Sequence, residues 1–417
     1  MIQNFKRTKL ACYAAYFTMS SIFSLPPLLF MTFHNLYNIS YTLLGTLVLT
    51  NFCTQMLVDL IFTVFSKKFN IKKVVRVMPC ITSLGLFIYA LVPNFFPQYA
   101  YLGLIVGTII FSISAGLSEV LLSPVIAAIP SENPQKDMSM LHSLYAFGFF
   151  TVVVVSTLFL KIFGNENWMY LTLFLGALPL ISALLFKLSP MPEMNNEETT
   201  LKNKEKDKKR TIGLALCVGS IFLGSCAENT MSNWISTYME NAINIDKALG
   251  DILGMAMFAI LLGITRILYA KYGKNICKFL LISFVCAAVC YLAISISTNK
   301  IVGFIGCILV GIFTSMLWPG TLIMMEEKVK GVGVAAYALM ASAGDFGASF
   351  APQLMGIVID NVSISQFAVN LSSTLNLSPE QIGLKVGMLI TSIFPILGAV
   401  LMLFIIKYFK KNKSQEN

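Results

Sequence analysis

Apolar residues run along this chain in twelve long blocks, at about 10–34, 41–65, 74–93, 100–129, 139–162 and 168–188, then 211–239, 249–270, 276–297, 301–325, 332–359 and 382–408. Each block is close to or above the roughly 20 residues an α-helix needs to cross a hydrocarbon core. The pattern therefore predicts an all-α membrane protein of twelve transmembrane helices. Between the sixth and seventh blocks, Ser189 to Arg210 is rich in Pro, Glu, Asn and Lys and nearly free of apolar residues, the composition of a flexible linker. It divides the chain into an N-terminal bundle (1–188), a linker (189–210) and a C-terminal bundle (211–417), each bundle with six spans. An internal repeat is expected as well. Gly116 precedes Pro124 by eight residues in span four, and Gly311 precedes Pro319 by the same eight in span ten. The first block, from Leu10 to about Phe33, is longer than the apolar core of a signal peptide and is expected to stay as the first span.

Composition agrees with the pattern: 56% of the 417 residues are hydrophobic and 12% charged, with a mean hydropathy of +0.76, too apolar for a soluble fold. The net charge of +10 is explained by where the basic residues lie. Lys6, Arg7 and Lys9 precede span one; Lys67, Lys68, Lys72, Lys73 and Arg76 follow span two; Lys271, Lys274 and Lys278 follow span eight; Lys407, Lys410, Lys411 and Lys413 follow span twelve. The opposite loops hold only Lys161, Lys247, Lys300 and Lys385. By the positive-inside rule both termini are cytoplasmic, at the inner (plasma) membrane of a cell, and nucleic-acid binding is not needed to explain the charge. The nine cysteines show no paired spacing and the two histidines lie in different spans, so no disulfide framework, metal site or cofactor is expected. A Walker-type phosphate loop is absent, which disfavours an ATP-driven pump or another enzyme. Tyr37, Tyr41, Tyr99, Tyr101, Trp168 and Tyr170, at block ends, suit interfacial anchoring.

The candidate chemistry lies in the few polar groups within the blocks. Glu119 sits mid-span in Gly116-Leu-Ser-Glu-Val-Leu-Leu-Ser-Pro124, and Ser112, Gly116, Glu119 and Ser123 share one helical face. An ionisable group at that depth costs at least a few kcal/mol, so Glu119 is expected to face a cavity or a partner and to be functional. Pro124 is expected to allow a bend there. Ser220, Gly224, Glu228 and Ser232 form a second stripe in span seven, with Asn229, Asn233 and Trp234 beside it. The competing reading of both stripes is close packing of small residues against a neighbouring helix. His142 in span five, with Ser143 and Tyr145, adds an imidazole that titrates near neutrality, although a lone histidine serves packing as readily. Asp345, in Ala343-Gly-Asp-Phe-Gly-Ala-Ser349, stands among glycines that allow close helix approach. Asp59 and Arg266 fall toward the cytoplasmic ends of spans two and eight, where a gating or structural ion pair is expected. Trp318, before Pro319, offers a ring for stacking on a sugar-like or aromatic ligand.

The two groups of six spans, the linker and the basic loop after span two resemble the major facilitator superfamily over nearly the whole chain. Glu119 with Ser123-Pro124 is similar to the Glu-x-x-x-Asn-Pro element of the fucose:proton symporter-like branch, with Ser123 in place of Asn. Ala227-Glu228-Asn229, Ser232-Asn233-Trp234, Trp318-Pro319-Gly320, and Ala343-Gly344-Asp345 with Pro352 also resemble that branch. The superfamily's acidic and glycine-bearing loop motif is degraded to Ser66-Lys-Lys-Phe-Asn-Ile-Lys72, while Gly263, Arg266 and Gly273 keep a trace of it in the second half. Span one lacks the acid of fucose permease, and the span-five motif of drug:proton antiporters is missing.

The resemblance implies a monomeric secondary transporter of a small polar, sugar-like solute, coupled to protons by Glu119 and working by alternating access within the lipid bilayer. Glu228, Asn229, Asn233, Trp234, His142 and Trp318 are then expected to contact the substrate. In the family, spans one, four, seven and ten surround the cavity, so Glu119 and Glu228 are expected to face the same water-filled space. Two carboxylates there do not both ionise cheaply, and one is expected to hold a proton. Export of amphipathic compounds through a Phe- and Met-rich cavity is the alternative, and a non-transporting sensor is a third reading.

Overall fold

The computed structural model describes residues 5–65, 69–132, 134–192, 208–329 and 334–413, and among them there is no strand. Six long helices come first: α1 (Lys6–Tyr37), α2 (Tyr41–Phe65), α3 (Ile71–Phe95), α4 (Ala100–Ala128), α5 (Pro134–Phe163) and α6 (Trp168–Lys187). The second series is more interrupted. α7 (Lys208–Thr237) runs into a π-helical turn (Tyr238–Ala242), and the next span is built from α8 (Lys247–Leu249), a π-helical stretch (Gly250–Ala256) and α9 (Met257–Tyr272). There follow α10 (Ile276–Ile296), α11 (Lys300–Thr314), α12 (Pro319–Lys328), α13 (Val334–Ser363), α14 (Gln366–Leu375), α15 (Pro379–Thr391) and α16 (Ile393–Lys413). Among the described residues eleven helices are long and apolar enough to cross a membrane, or twelve when α13 and α14, bent by 79° at their junction, are counted as one span. The expected all-α, multi-pass membrane architecture is realised. Most of the linker, residues 193–207, lies outside the described residues.

Two compact units emerge from the packing, Met1–Ile39 with Thr50–Glu197, and Ser40–Leu49 with Glu198–Asn417. The start of α2 thus belongs with the later helices, which a division at the linker does not anticipate. Glycine explains part of this. A Cβ on Gly356 of α13 would lie 2.3 Å from the Tyr41 carbonyl oxygen, and one on Gly45 would lie 3.0 Å from Gln353 Cα, so only hydrogen at these positions lets the backbones meet. The remainder is a cap. The Asp360 carboxylate accepts the N–H groups of Tyr41 (3.0 Å) and Thr42 (2.6 Å), satisfying donors that a helix N-terminus leaves without partners.

In the first unit α3 crosses α4 closely. A Cβ on Gly85 would sit 2.5 Å from the Phe111 nitrogen, and one on Gly107 would sit 2.8 Å from the Gly85 oxygen. Thr82 Oγ1 donates to Ser114 Oγ across the same pair (2.7 Å). Beside it Phe33, Tyr89 and Trp168 pack edge to face, with Phe33 and Trp168 centroids 4.9 Å apart.

The repeat suggested by Gly116 and Gly311 has a structural counterpart within each unit. Gly116 of α4 meets Val58 and the Gln55 oxygen of α2, and Gly311 of α11 meets the Phe258 oxygen of α9, so the fourth span of each series closes on the second. A further matching pair escaped the sequence reading: Asn70 accepts from the Lys73 nitrogen to cap α3, and Asn275 accepts from the Lys278 nitrogen to cap α10. The prolines behave differently. α4 runs through Pro124 without interruption, whereas span ten is interrupted between Thr314 and Pro319.

At one end of the first unit Asp137 ties α1 to α5. Its carboxylate pairs with Lys9, accepts from Ser131 Oγ (2.6 Å) and lies by the Tyr13 hydroxyl (3.4 Å). The bond from Lys9, then that from Ser131, holds this carboxyl below its ordinary range, against a smaller opposing effect of burial. A depressed carboxyl stabilises the fold above its unfolded value, and that stabilisation is lost as pH falls through the folded one. Asp137→Asn is expected to lower thermal stability in detergent at pH 7 by about 1 kcal/mol or less. The difference from wild type should shrink as pH falls below the ordinary aspartate range and the wild-type carboxyl takes up its proton too; a gap that persists unchanged would contradict the assignment.

Candidate functional site

In the first unit the polar stripe of α4 serves mainly to join helices. Ser112 Oγ donates to Asn51 Oδ1 of α2 (2.6 Å), and Gln55 Nε2 donates to the same oxygen (3.0 Å), all three residues being buried. Gly116 seats the crossing one turn further along. Glu119 is the member of the stripe that stays open: its side chain is exposed between buried neighbours Ser118 and Leu121. It forms no ion pair or hydrogen bond with the described residues. It lies within electrostatic range of Asp59 on α2 and Tyr16 on α1, which places it on the α1–α2 side of α4. Asp59 has one oxygen, Oδ1, buried without a hydrogen-bond partner. The Tyr16 ring packs edge to face on Tyr145 of α5 (6.4 Å), and Tyr145 on Phe23 (5.6 Å), giving this region an aromatic wall. His142 lies on α5, but its side chain is outside the described residues.

In the second unit three spans converge on an ion pair. Arg266 Nη2 lies 3.3 Å from Glu228 Oε1, and Arg266 Nε donates to the Ser315 carbonyl (2.9 Å). Ser315 begins the turn Ser315–Trp318, where the Ser315 carbonyl loses its i+4 donor because Pro319 has no N–H, while Met316 O still accepts from Gly320 N (2.8 Å); Pro319 restarts the helix at its first position. Arg266 finds its carboxylate in Glu228, and its Nε takes the Ser315 carbonyl that Pro319 leaves without a donor. Gly224 lets Leu317 of that broken segment approach α7, since a Cβ there would lie 2.7 Å from Leu317 Cβ. The Trp318 indole lies against Gly344, where a Cβ would come within 2.2 Å of the ring, and it remains half-buried. Asp345 is the next residue, buried on α13. Gly347 brings α13 onto α7, where a Cβ would lie 2.5 Å from the Phe222 oxygen, the close helix approach that the glycines suggested.

Other polar residues of the span-seven stripe bond along their own helix. Asn229 Nδ2 donates to Ser225 Oγ (3.1 Å), and Asn233 Nδ2 donates to the Asn229 carbonyl (2.8 Å). Trp234 is fully buried, donates its indole N–H to the Pro352 carbonyl (3.1 Å) and packs on Tyr41. The structure brings Glu228, Arg266 and Trp318 together around one broken helix and sets Glu119 near Asp59; it does not bring Trp234 to an open surface. The Asn51–Gln55–Ser112 cluster was missed, although its i, i+4 spacing with Asp59 along α2 was visible in the sequence.

The profile of the Major Facilitator Superfamily matches residues 10–352. No curated protein matches the sequence itself. Among solved structures, a bacterial homolog of the human lysosomal transporter Spinster, in an inward-facing and occupied conformation, superposes with a TM-score of 0.75 at 13% identity, over 97% of each chain. A D-xylose-proton symporter gives 0.73 at 13% identity, over 93% of this chain and 96% of that one. A mutant form of the nucleoside transporter NupG gives 0.70 at 15% identity, over 95% of this chain and 99% of that one.

Proposed function

The chain belongs to the major facilitator superfamily, and from that premise we propose that it carries a small polar, sugar-like solute across the cell's inner membrane by alternating access, driven by protons through Glu119. Both termini lie on the cytoplasmic side in this reading, which rests on the basic loops. The observation that carries it is the break in span ten. Non-helical backbone at membrane depth is tolerated where it is buried in protein or lines a watery cavity, and in transporters such breaks supply substrate sites. Here the break stands beside an ion pair and a half-buried tryptophan, a set of directional hydrogen-bonding groups with a flat apolar face, which suits a ring bearing hydroxyls. Glu119 supports the proton assignment because it forms no salt bridge with the described residues that a proton would have to break. The structures described as a D-xylose-proton symporter and a nucleoside transporter share the fold and favour a solute of this kind. The polar elements in spans four, seven, ten and eleven incline the reading toward the fucose:proton symporter-like branch.

Purified protein in liposomes tests the proposal directly. Labelled neutral sugars and nucleosides are offered with an inward proton gradient, with no gradient, and with a protonophore. Accumulation of one of them that needs the gradient and collapses with the protonophore is the expected result. Uptake that ignores the gradient would remove proton coupling, and no uptake or exchange of any of them would remove the substrate class.

A further inference from the structure

The Glu228–Arg266 pair bears on which solutes the site accepts. A guanidinium has five N–H donors; Arg266 uses one on Ser315 O and one on Glu228, so three remain. Its side chain is 42% exposed, whereas Glu228 has its second oxygen, Oε2, buried and without a partner. The open side of the pair therefore presents donors from Arg266, while Glu228 stands behind it as the compensating charge. Asp345, on α13 packed against α7, is buried and has interactions of its own. A guanidinium and one carboxylate sum to zero. A neutral solute can then take hydrogen bonds from Arg266 with no excess charge left at membrane depth, but an anion would leave one.

We propose that Arg266 is a specificity-determining residue whose pairing with Glu228 leaves the site without net charge, so that it selects an uncharged polyhydroxy solute over its carboxylate or phosphate derivative. This deepens the sugar-like reading above and rests on it. Arg266 contacts the solute directly; Glu228 acts through the charge it cancels. Removing Glu228 alone leaves a positive site, and removing both restores neutrality.

Matched pairs of probes test this by thermal shift on the purified full chain: D-glucose with D-glucuronate, D-xylose with D-xylonate, and uridine with uridine monophosphate. Wild type should favour the neutral member of whichever pair binds. In Glu228→Gln the ratio of affinities should swing toward the acid by about tenfold or more, as an uncompensated charge in a poorly screened site requires. The double variant Glu228→Gln/Arg266→Gln should return to neutral preference, and Arg266→Gln should discriminate against the acid more strongly than wild type. A wild type that prefers the acid, or a ratio that stays put in Glu228→Gln, would overturn the proposal. If Glu228→Gln does not fold, an unchanged ratio in Arg266→Gln has the same force. Failure of all six probes to shift wild type would instead sink the reading of the substrate class, which is a separate result.

Discussion

Glu119→Gln protein is expected to exchange substrate across a liposome membrane yet fail to concentrate it. One proton moved per solute can sustain at most about a tenfold concentration ratio for each unit of pH difference, since one unit is ~1.4 kcal/mol. Wild type should approach that limit and the variant should settle near a ratio of about 1. Glutamine keeps the size and hydrogen-bonding capacity of the side chain but cannot gain or lose a proton. Glu119 is also a residue whose replacement leaves the packing intact, because its side chain is exposed and joins no hydrogen bond with the described residues, whereas its neighbours Ser112 and Gly116 hold α4 on α2. Counterflow at equal pH on both sides should therefore survive. A variant that still accumulates substrate uphill would remove Glu119 from coupling, and loss of counterflow together with accumulation would recast it as a binding or structural group.

A large loss of stability is expected on filling Gly107. A Cβ there would fall 2.7 Å from Tyr89 Cβ, 2.8 Å from the Tyr89 nitrogen and 2.8 Å from the Gly85 oxygen, so two of the three obstacles are backbone of α3. Backbone cannot rotate aside, and Gly107→Val must push two long helices apart along with the Tyr89, Phe33 and Trp168 rings packed beside them. Overpacking of this kind costs roughly 1–3 kcal/mol or more, and the displacement of backbone puts this site at the upper end. Gly263→Ala is the matched control. Nothing lies within 4 Å of the Cβ it would add, and alanine is the better helix former by up to about 1 kcal/mol, so this variant should be as stable as wild type or more so. Thermal unfolding in detergent followed by size-exclusion chromatography checks both, and a Gly107→Val protein that melts with wild type would refute the account of the α3–α4 crossing.

Hydrophobic block length alone determined that this chain is helical, crosses a membrane many times and is organised as repeated spans, because the bilayer imposes one length and forces backbone hydrogen bonds to close within each helix. The rarity of charge inside those blocks likewise made Glu119, Glu228 and Arg266 visible as the groups to watch. What periodicity could not decide was which way each polar stripe turns, since small residues that line a cavity and small residues that seat a neighbouring helix have the same spacing. Only tertiary structure separates them: Ser112 and Gly116 close on α2, Asn229 and Asn233 bond along their own helix, and Trp234 is sealed by the Pro352 carbonyl. Nor could equal Gly-to-Pro spacing tell that α4 stays continuous while span ten breaks, because the break is sustained by an arginine from another span, which takes the Ser315 carbonyl. Partners are chosen between segments far apart in the chain. Arg266 met Glu228, 38 residues away, and Asp360 capped Tyr41, 319 residues away, because folding brought a donor and a carboxylate into reach of one another.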